Sequence, residues 1–199
     1  MSIFGPSYHD VWQAFSEEVG GTFERGGFAK ASKMRVGEGP FTIALETYTI
    51  SSGEDSDTYT RFRAYFREQG ALRFGAGRRS FLSKIAALFG KRYVTTGHAA
   101  FDEVMVLWGN DEEQLKAYFN DARFCQLLAE LRPYQLSIAR NKPLLGPQLP
   151  EGVVEFCLLH DKLVKEPERL RKLLEVMRLA LQRLVKVGIA VNVDPGLAP

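Results

Sequence analysis

From Tyr59 to Arg67 the chain reads YTRFRAYFR, and this alternation limits the possible fold more than any other stretch. Strand side chains point to opposite faces with a period of two. Thr60, Phe62, Ala64 and Phe66 are therefore expected on one face, and Tyr59, Arg61, Arg63, Tyr65 and Arg67 on the other. Such a segment suits an antiparallel sheet with one buried side. Glu68, Gln69 and Gly70 have the length and the glycine of a three-residue hairpin loop. They predict a return strand over Ala71 to Gly75, with Leu72 and Phe74 continuing the apolar face and Arg73 joining the polar one.

The flanking segments fit the same class. Ser7 can cap a helix in which Tyr8, Val11, Trp12, Phe15 and Val19 recur at helical spacing, ended by Gly20 and Gly21. Strands are predicted over Lys30 to Val36, Phe41 to Ile50, Tyr93 to Thr96, Glu103 to Trp108, Tyr134 to Ala139 and Val153 to His160, with SSGEDSD as a polar loop. Ser80 begins a short helix that stops at Gly90, and Asn110 is placed to cap a helix opening with Asp111, Glu112 and Glu113. A further helix spans Asp121 to Leu131. After Pro167, a favourable first-turn residue, Leu170, Leu173, Leu174, Met177, Ala180, Leu181 and Leu184 form an apolar stripe ending at Gly188. Packing of this stripe on the protein's own sheet is favoured over a coiled-coil seam that would make a homodimer. The expected fold is α+β: a mainly antiparallel sheet covered by helices, with a long C-terminal amphipathic helix. One domain is expected over 1–199, and the loop Asn141 to Gly152 is the best boundary if subdomains exist.

A net charge of +2 is too mild to imply nucleic acid by itself, so clustering matters more than the total. Arg61, Arg63, Arg67, Arg73, Arg78, Arg79, Lys84, Lys91 and Arg92 face the single acid Glu68 between positions 61 and 92. Cys125 and Cys157 sit among apolar neighbours and are expected to be reduced and buried. The N-terminus lacks the pattern of a signal peptide and no apolar run reaches membrane-spanning length, so a cytoplasmic protein is expected.

Catalytic signatures are weak. His9, His98 and His160 are isolated and no CxxC pair occurs, so neither a metal nor a cofactor is expected. His160 with Asp161 could be a base and its orienting acid, but a strand-end histidine at a turn explains the pair more simply. Cys157 and His160 would face oppositely on a strand, which argues against a dyad. Gly75 to Ser80 resembles half of a phosphate loop without the lysine ending. Asp102 and Glu103 would face opposite sides of a strand. What remains is a basic face of Tyr59, Arg61, Arg63, Tyr65, Arg67 and Arg73, with Arg78 and Arg79 beyond it, combining guanidinium groups and aromatic rings. The competing explanation is a sheet face paired internally with acids such as Glu46 or those between Asp102 and Glu130.

YTRFRAYF, then LRFGAGRRSFLSKIAALFGKRYVTTG, then AFDEVMVLWGND together resemble an uncharacterised bacterial family with TR.RA.F and FD..F.V.GND motifs. The resemblance implies a shared fold and no transferable activity. The favoured reading is a non-catalytic binding or interaction module using the Arg/Tyr face. An acidic protein surface is the first candidate partner, ahead of nucleic acid or an anionic membrane. The alternative is a small enzyme or binder for an anionic, phosphate-bearing ligand around Arg61, Arg63, Arg79 and His98.

Overall fold

The computed structural model describes residues 6–27, 31–52, 55–79, 93–139 and 148–199. In chain order the elements are α1 (Tyr8–Glu18), β1 (Thr22–Glu24), β2 (Lys33–Glu38), β3 (Phe41–Ser52), β4 (Asp55–Arg67), β5 (Phe74–Arg78), β6 (Tyr93–Val94), α2 (Ala99–Val104), β7 (Met105–Gly109), α3 (Glu112–Phe119), α4 (Ala122–Leu131), β8 (Gln135–Ala139), β9 (Val153–His160) and α5 (Pro167–Lys186). The described strands form one sheet in the order β1-β2-β3-β4-β9-β8-β5-β7-β6, with every neighbouring pair antiparallel. This is the α+β class expected from the sequence.

Cross-strand register carries the alternation of β4 through the sheet. Leu45 lies opposite Phe62 and Ile43 opposite Ala64, while Phe62 and Ala64 also face Leu158 and Phe156 of β9. These residues join one buried cluster with side chains from all five described helices, among them Trp12, Phe101, Leu115, Phe124 and Leu174. The helices therefore cover one face. Leu170, Leu173, Leu174, Met177, Ala180, Leu181 and Leu184 of α5 are each no more than 1% exposed, so the C-terminal stripe is spent on the protein's own core. Fully burying one such side chain stabilises by roughly 1.5–3 kcal/mol. None of the described helices is long and apolar enough to cross a membrane.

The hairpin expected between β4 and Ala71 to Gly75 does not form. β4 pairs with β3 and β9, whereas β5 pairs with β8 and β7. A distant segment takes the hydrogen bonds at the end of β4: Val191 N donates to Arg67 O at 2.9 Å and Gln69 N to Ile189 O at 2.7 Å. Arg73 is anchored elsewhere, its N–H donating to Asn110 Oδ1 at 2.7 Å. With that task Asn110 is not the helix cap; Asp111 accepts from Gln114 N at 2.9 Å instead. The strand expected from Glu103 begins only at Met105, because Ala99–Val104 forms a helix. Asp102 holds the turn before it, accepting from Thr96 N, Thr96 Oγ1 and Gly97 N, each at 3.0 Å. SSGEDSD is not wholly a loop, since β3 and β4 pair out to Ser52 and Asp55. The helix expected from Ser80 to Gly90, with Lys84, Lys91 and Arg92, lies outside the described residues.

Candidate functional site

The face of β2, β3, β4 and β9 turned away from the helices holds an ion cluster built by register. Glu46 stands directly opposite Lys33 on one side and Arg61 on the other, and Tyr65 stands opposite Glu155. Lys33 Nζ lies 3.2 Å from Glu46 Oε2, and Arg61 Nε donates to Glu46 Oε1 at 2.8 Å. Arg63 reaches both carboxylates, with Nε 2.7 Å from Glu46 Oε1 and Nη1 3.1 Å from Glu155 Oε2. The same Nη1 donates to the Tyr65 hydroxyl at 3.1 Å. Glu46, Arg63 and Glu155 are buried, at 4%, 7% and 8% exposure, so their charges persist only because each has partners. Burial works against ionisation of Glu46, but Arg61, Arg63 and Lys33 outweigh it and hold the carboxyl below its usual range. Burial likewise opposes the charge on Arg63, and Glu46 chiefly reverses the effect and raises its pKa. The Tyr65 hydroxyl is raised, mainly by burial.

Of the eight residues expected at the site, five share this face. Tyr59 meets Tyr134 edge-on with centroids 5.4 Å apart, and burial followed by Tyr134 raises its hydroxyl pKa. The Arg61 guanidinium lies 4.5 Å from the Tyr48 ring centroid. Arg63 and Tyr65 form the buried centre, and Arg67 is exposed at the end of β4. The other three lie elsewhere. Arg73 donates to Glu68 at 2.6 Å. Arg78 falls on the helix-covered side, in step with Phe74 and Ala76, and grips Asp161 at 2.7 and 2.5 Å. Arg79 donates to the carbonyls of Asp102 and Glu103 at 2.7 and 3.2 Å. The acids that neutralise the face are Glu46, which the sequence pointed to, and Glu155, which it did not.

The other chemical candidates resolve locally. Gly75 and Gly77 are paired on both sides within β5, so their amides serve the sheet rather than a phosphate. Gly75 makes room for an indole: a Cβ there would sit 2.4 Å from Trp108 Cζ2. Cys125 and Cys157 are free thiols whose pKa values burial pushes up to about 12, which suppresses the thiolate needed for nucleophilic attack at neutral pH. Arg61 and Arg63 lie on β4 while Arg79 lies against α2, with β9, β8 and β5 between, so the expected convergence with His98 does not occur. Among the described residues no group of three His, Cys, Asp or Glu is placed to hold a metal. At the far end of β9, Arg78, His160, Asp161, Lys162 and Arg169 line a polar cleft, of which the sequence marked only His160 and Asp161 as a pair and Arg78 as part of the basic stretch.

No protein-family model matches the chain, and no curated protein matches it. The fold is similar to that in the crystal structure of the mycobacterial trehalose monomycolate transport factor A, TtfA, with a TM-score of 0.54. The likeness spans 92% of this chain and 97% of that one at 8% sequence identity, and at that identity it concerns the fold.

Proposed function

We propose that this protein is a non-catalytic, cytoplasmic binding module that presents the helix-free face of β2, β3 and β4 to an acidic protein surface. The observation that carries this reading is the fixed state of the partly exposed Arg61, which is bonded to Glu46 and lies over Tyr48, while the buried Arg63, between Glu46, Glu155 and the Tyr65 hydroxyl, holds Glu46 in place. Arg and Tyr dominate interface hot spots, and side chains already immobilised lose little entropy on binding. Lys33, Arg61 and Arg63 set three positive charges against the two of Glu46 and Glu155, and Arg67 adds one more at the exposed end, so complementarity favours an acidic partner. Internal pairing weakens the long-range field that a nucleic acid would need, so no salt-sensitive retention on heparin is expected. The fold shared with a transport factor is in keeping with a binding role. Membership of the bacterial family with the TR.RA.F and FD..F.V.GND motifs is proposed with it.

Photo-crosslinking in the host cell tests the reading. A photoreactive residue at Tyr48 or Tyr59 is expected to give a discrete adduct with an acidic protein, and one at Lys172 on α5 is expected to give none. Adducts from Lys172 alone, or none from the sheet face, would reject the face as the binding surface.

A further inference from the structure

Where β9 ends, His160, Asp161, Lys162, Leu163 and Val164 lead toward the first turn of α5, and with Arg78, Glu166 and Arg169 they line a cleft of about 380 Å³. The cleft lies on the helix side of the sheet and is independent of the face described above. The His160 side chain is only 5% exposed. Its Nδ1 is 2.6 Å from the Asp161 carbonyl oxygen, and its Nε2 is buried with no hydrogen-bond partner among the described residues. A carbonyl only accepts, so Nδ1 carries the proton and the neutral ring offers an unused lone pair at Nε2. Leaving a buried polar atom unpaired is costly, and a ligand that hydrogen-bonds there would recover that cost.

The surrounding groups favour an anion. Arg78 is neutralised by Asp161, whereas Lys162 and Arg169 are exposed and form no ion pair among the described residues. Glu166 is the opposing charge in the lining, with its Oε2 accepting from Lys165 N at 3.2 Å. Lys162 is held in the left-handed region at φ 70, its carbonyl accepting from Thr60 N at 3.2 Å and Thr60 Oγ1 at 3.0 Å. That backbone is strained for a residue with a Cβ, and glycine would adopt it without strain. α5 opens with Pro167 and carries Glu168 in its first turn, and no side chain among the described residues caps its N–H groups.

We propose that this cleft binds the phosphomonoester group of a small molecule, one proton being shared between His160 Nε2 and a phosphate oxygen while Lys162 and Arg169 flank the charge. A phosphomonoester has its second pKa near 6, so close to neutrality it either brings the proton to Nε2 or accepts a hydrogen bond from the protonated ring. Sulfate brings no proton at that pH. Burial first, then Arg169, lowers the His160 pKa, the Asp161 carbonyl and carboxylate oppose them, and Arg78 adds to the lowering. The ring is neutral when the cleft is empty, so Nε2 selects a ligand that carries a proton of its own, as the phosphomonoester monoanion does and sulfate does not. Thr60 of β4, which also faces this turn, has its hydroxyl committed to Lys162 O and Val164 N.

The full chain, labelled with ¹⁵N-histidine, is titrated near pH 7 while long-range proton–nitrogen correlation spectra report each ring nitrogen. Inorganic phosphate is expected to shift His160 Nε2 saturably, with sulfate at least tenfold weaker. Arg169→Gln is expected to weaken phosphate at least tenfold. Lys162→Gly is expected to weaken it too while leaving the melting temperature at or above that of the parent, which separates binding from folding. A hexose monophosphate binding more tightly than inorganic phosphate supports the phosphomonoester as the ligand; the reverse order would overturn that assignment in favour of the free ion. No response at His160 to either phosphate would overturn the proposal, as would a response that sulfate reproduces equally or that survives both substitutions.

Discussion

Two clusters of buried ionisable groups share the strand β9 and differ in how they are satisfied. Around Glu46 and Glu155 each charge has a partner on the neighbouring strand, because antiparallel register sets residues of opposite sign side by side. His160 is the last residue of β9, its neighbour across the ladder is Thr60, whose hydroxyl is committed to Lys162 O and Val164 N, and Nε2 has no partner among the described residues. Pairing within the sheet thus fixes the side chains and leaves a small positive excess, whereas the end of a strand is where an unmet hydrogen bond can persist. The first property suits a preformed contact surface; the second suits uptake of a small ligand.

The largest effect expected is at the paired cluster. Glu46→Ala takes the carboxylate from Lys33 and Arg61 and leaves Arg63 with Glu155 alone, and removing one partner of a buried ion pair costs about 3–5 kcal/mol, measurable by urea denaturation. A loss below about 1 kcal/mol would mean that water already screens the cluster. Gly75→Ala tests the opposite end of the same face. Its new methyl meets the Trp108 ring, and overpacking of this kind costs about 1–3 kcal/mol.

The effects expected at the cleft are smaller. Lys162→Gly relieves a left-handed backbone and is expected to raise stability by about 0.5–1 kcal/mol after the entropy of the unfolded glycine is allowed for. The pH dependence of stability then separates the regions. Glu46 has a folded pKa below 4.5, so its contribution is complete above that value and is lost as pH falls through the folded pKa. His160 has a folded pKa below 6.5, so the unfolded chain binds the proton more readily and stability falls as pH drops below 6.5. His9 is also lowered, by burial and Arg25, and contributes to the same window, so the informative quantity is the difference between parent and variant. His160→Gln is expected to flatten the slope just below pH 6.5 and to leave the fall below pH 4.5 intact. An unchanged upper slope would mean that the ring is not held neutral.

Local pattern made the strand faces and the last helix legible. Alternation put Phe62, Ala64 and Phe66 in the core, and Pro167 with Gly188 bracketed α5. Strand order was not legible, because the residues that complete the end of β4 lie beyond position 188, and local turn chemistry at Gly70 gives no hint of them. The basic face could be seen in Arg61 and Arg63, yet its neutralisation depends on Glu155, hidden in the apolar run VVEFCLLH. Arg73, Arg78 and Arg79 continued the basic stretch in sequence and left it in space. The cleft escaped notice because its mark is a positive φ at Lys162, an unusual choice for lysine that no local signal announces.

A double-mutant cycle on Glu46→Ala and Arg63→Ala, read by denaturant unfolding, probes the pairing itself. A coupling energy of about 2–3 kcal/mol is the expected result for partners that fix one another within the sheet. Additivity within about 0.5 kcal/mol would contradict it, leaving the arginines free and the preformed surface without a basis.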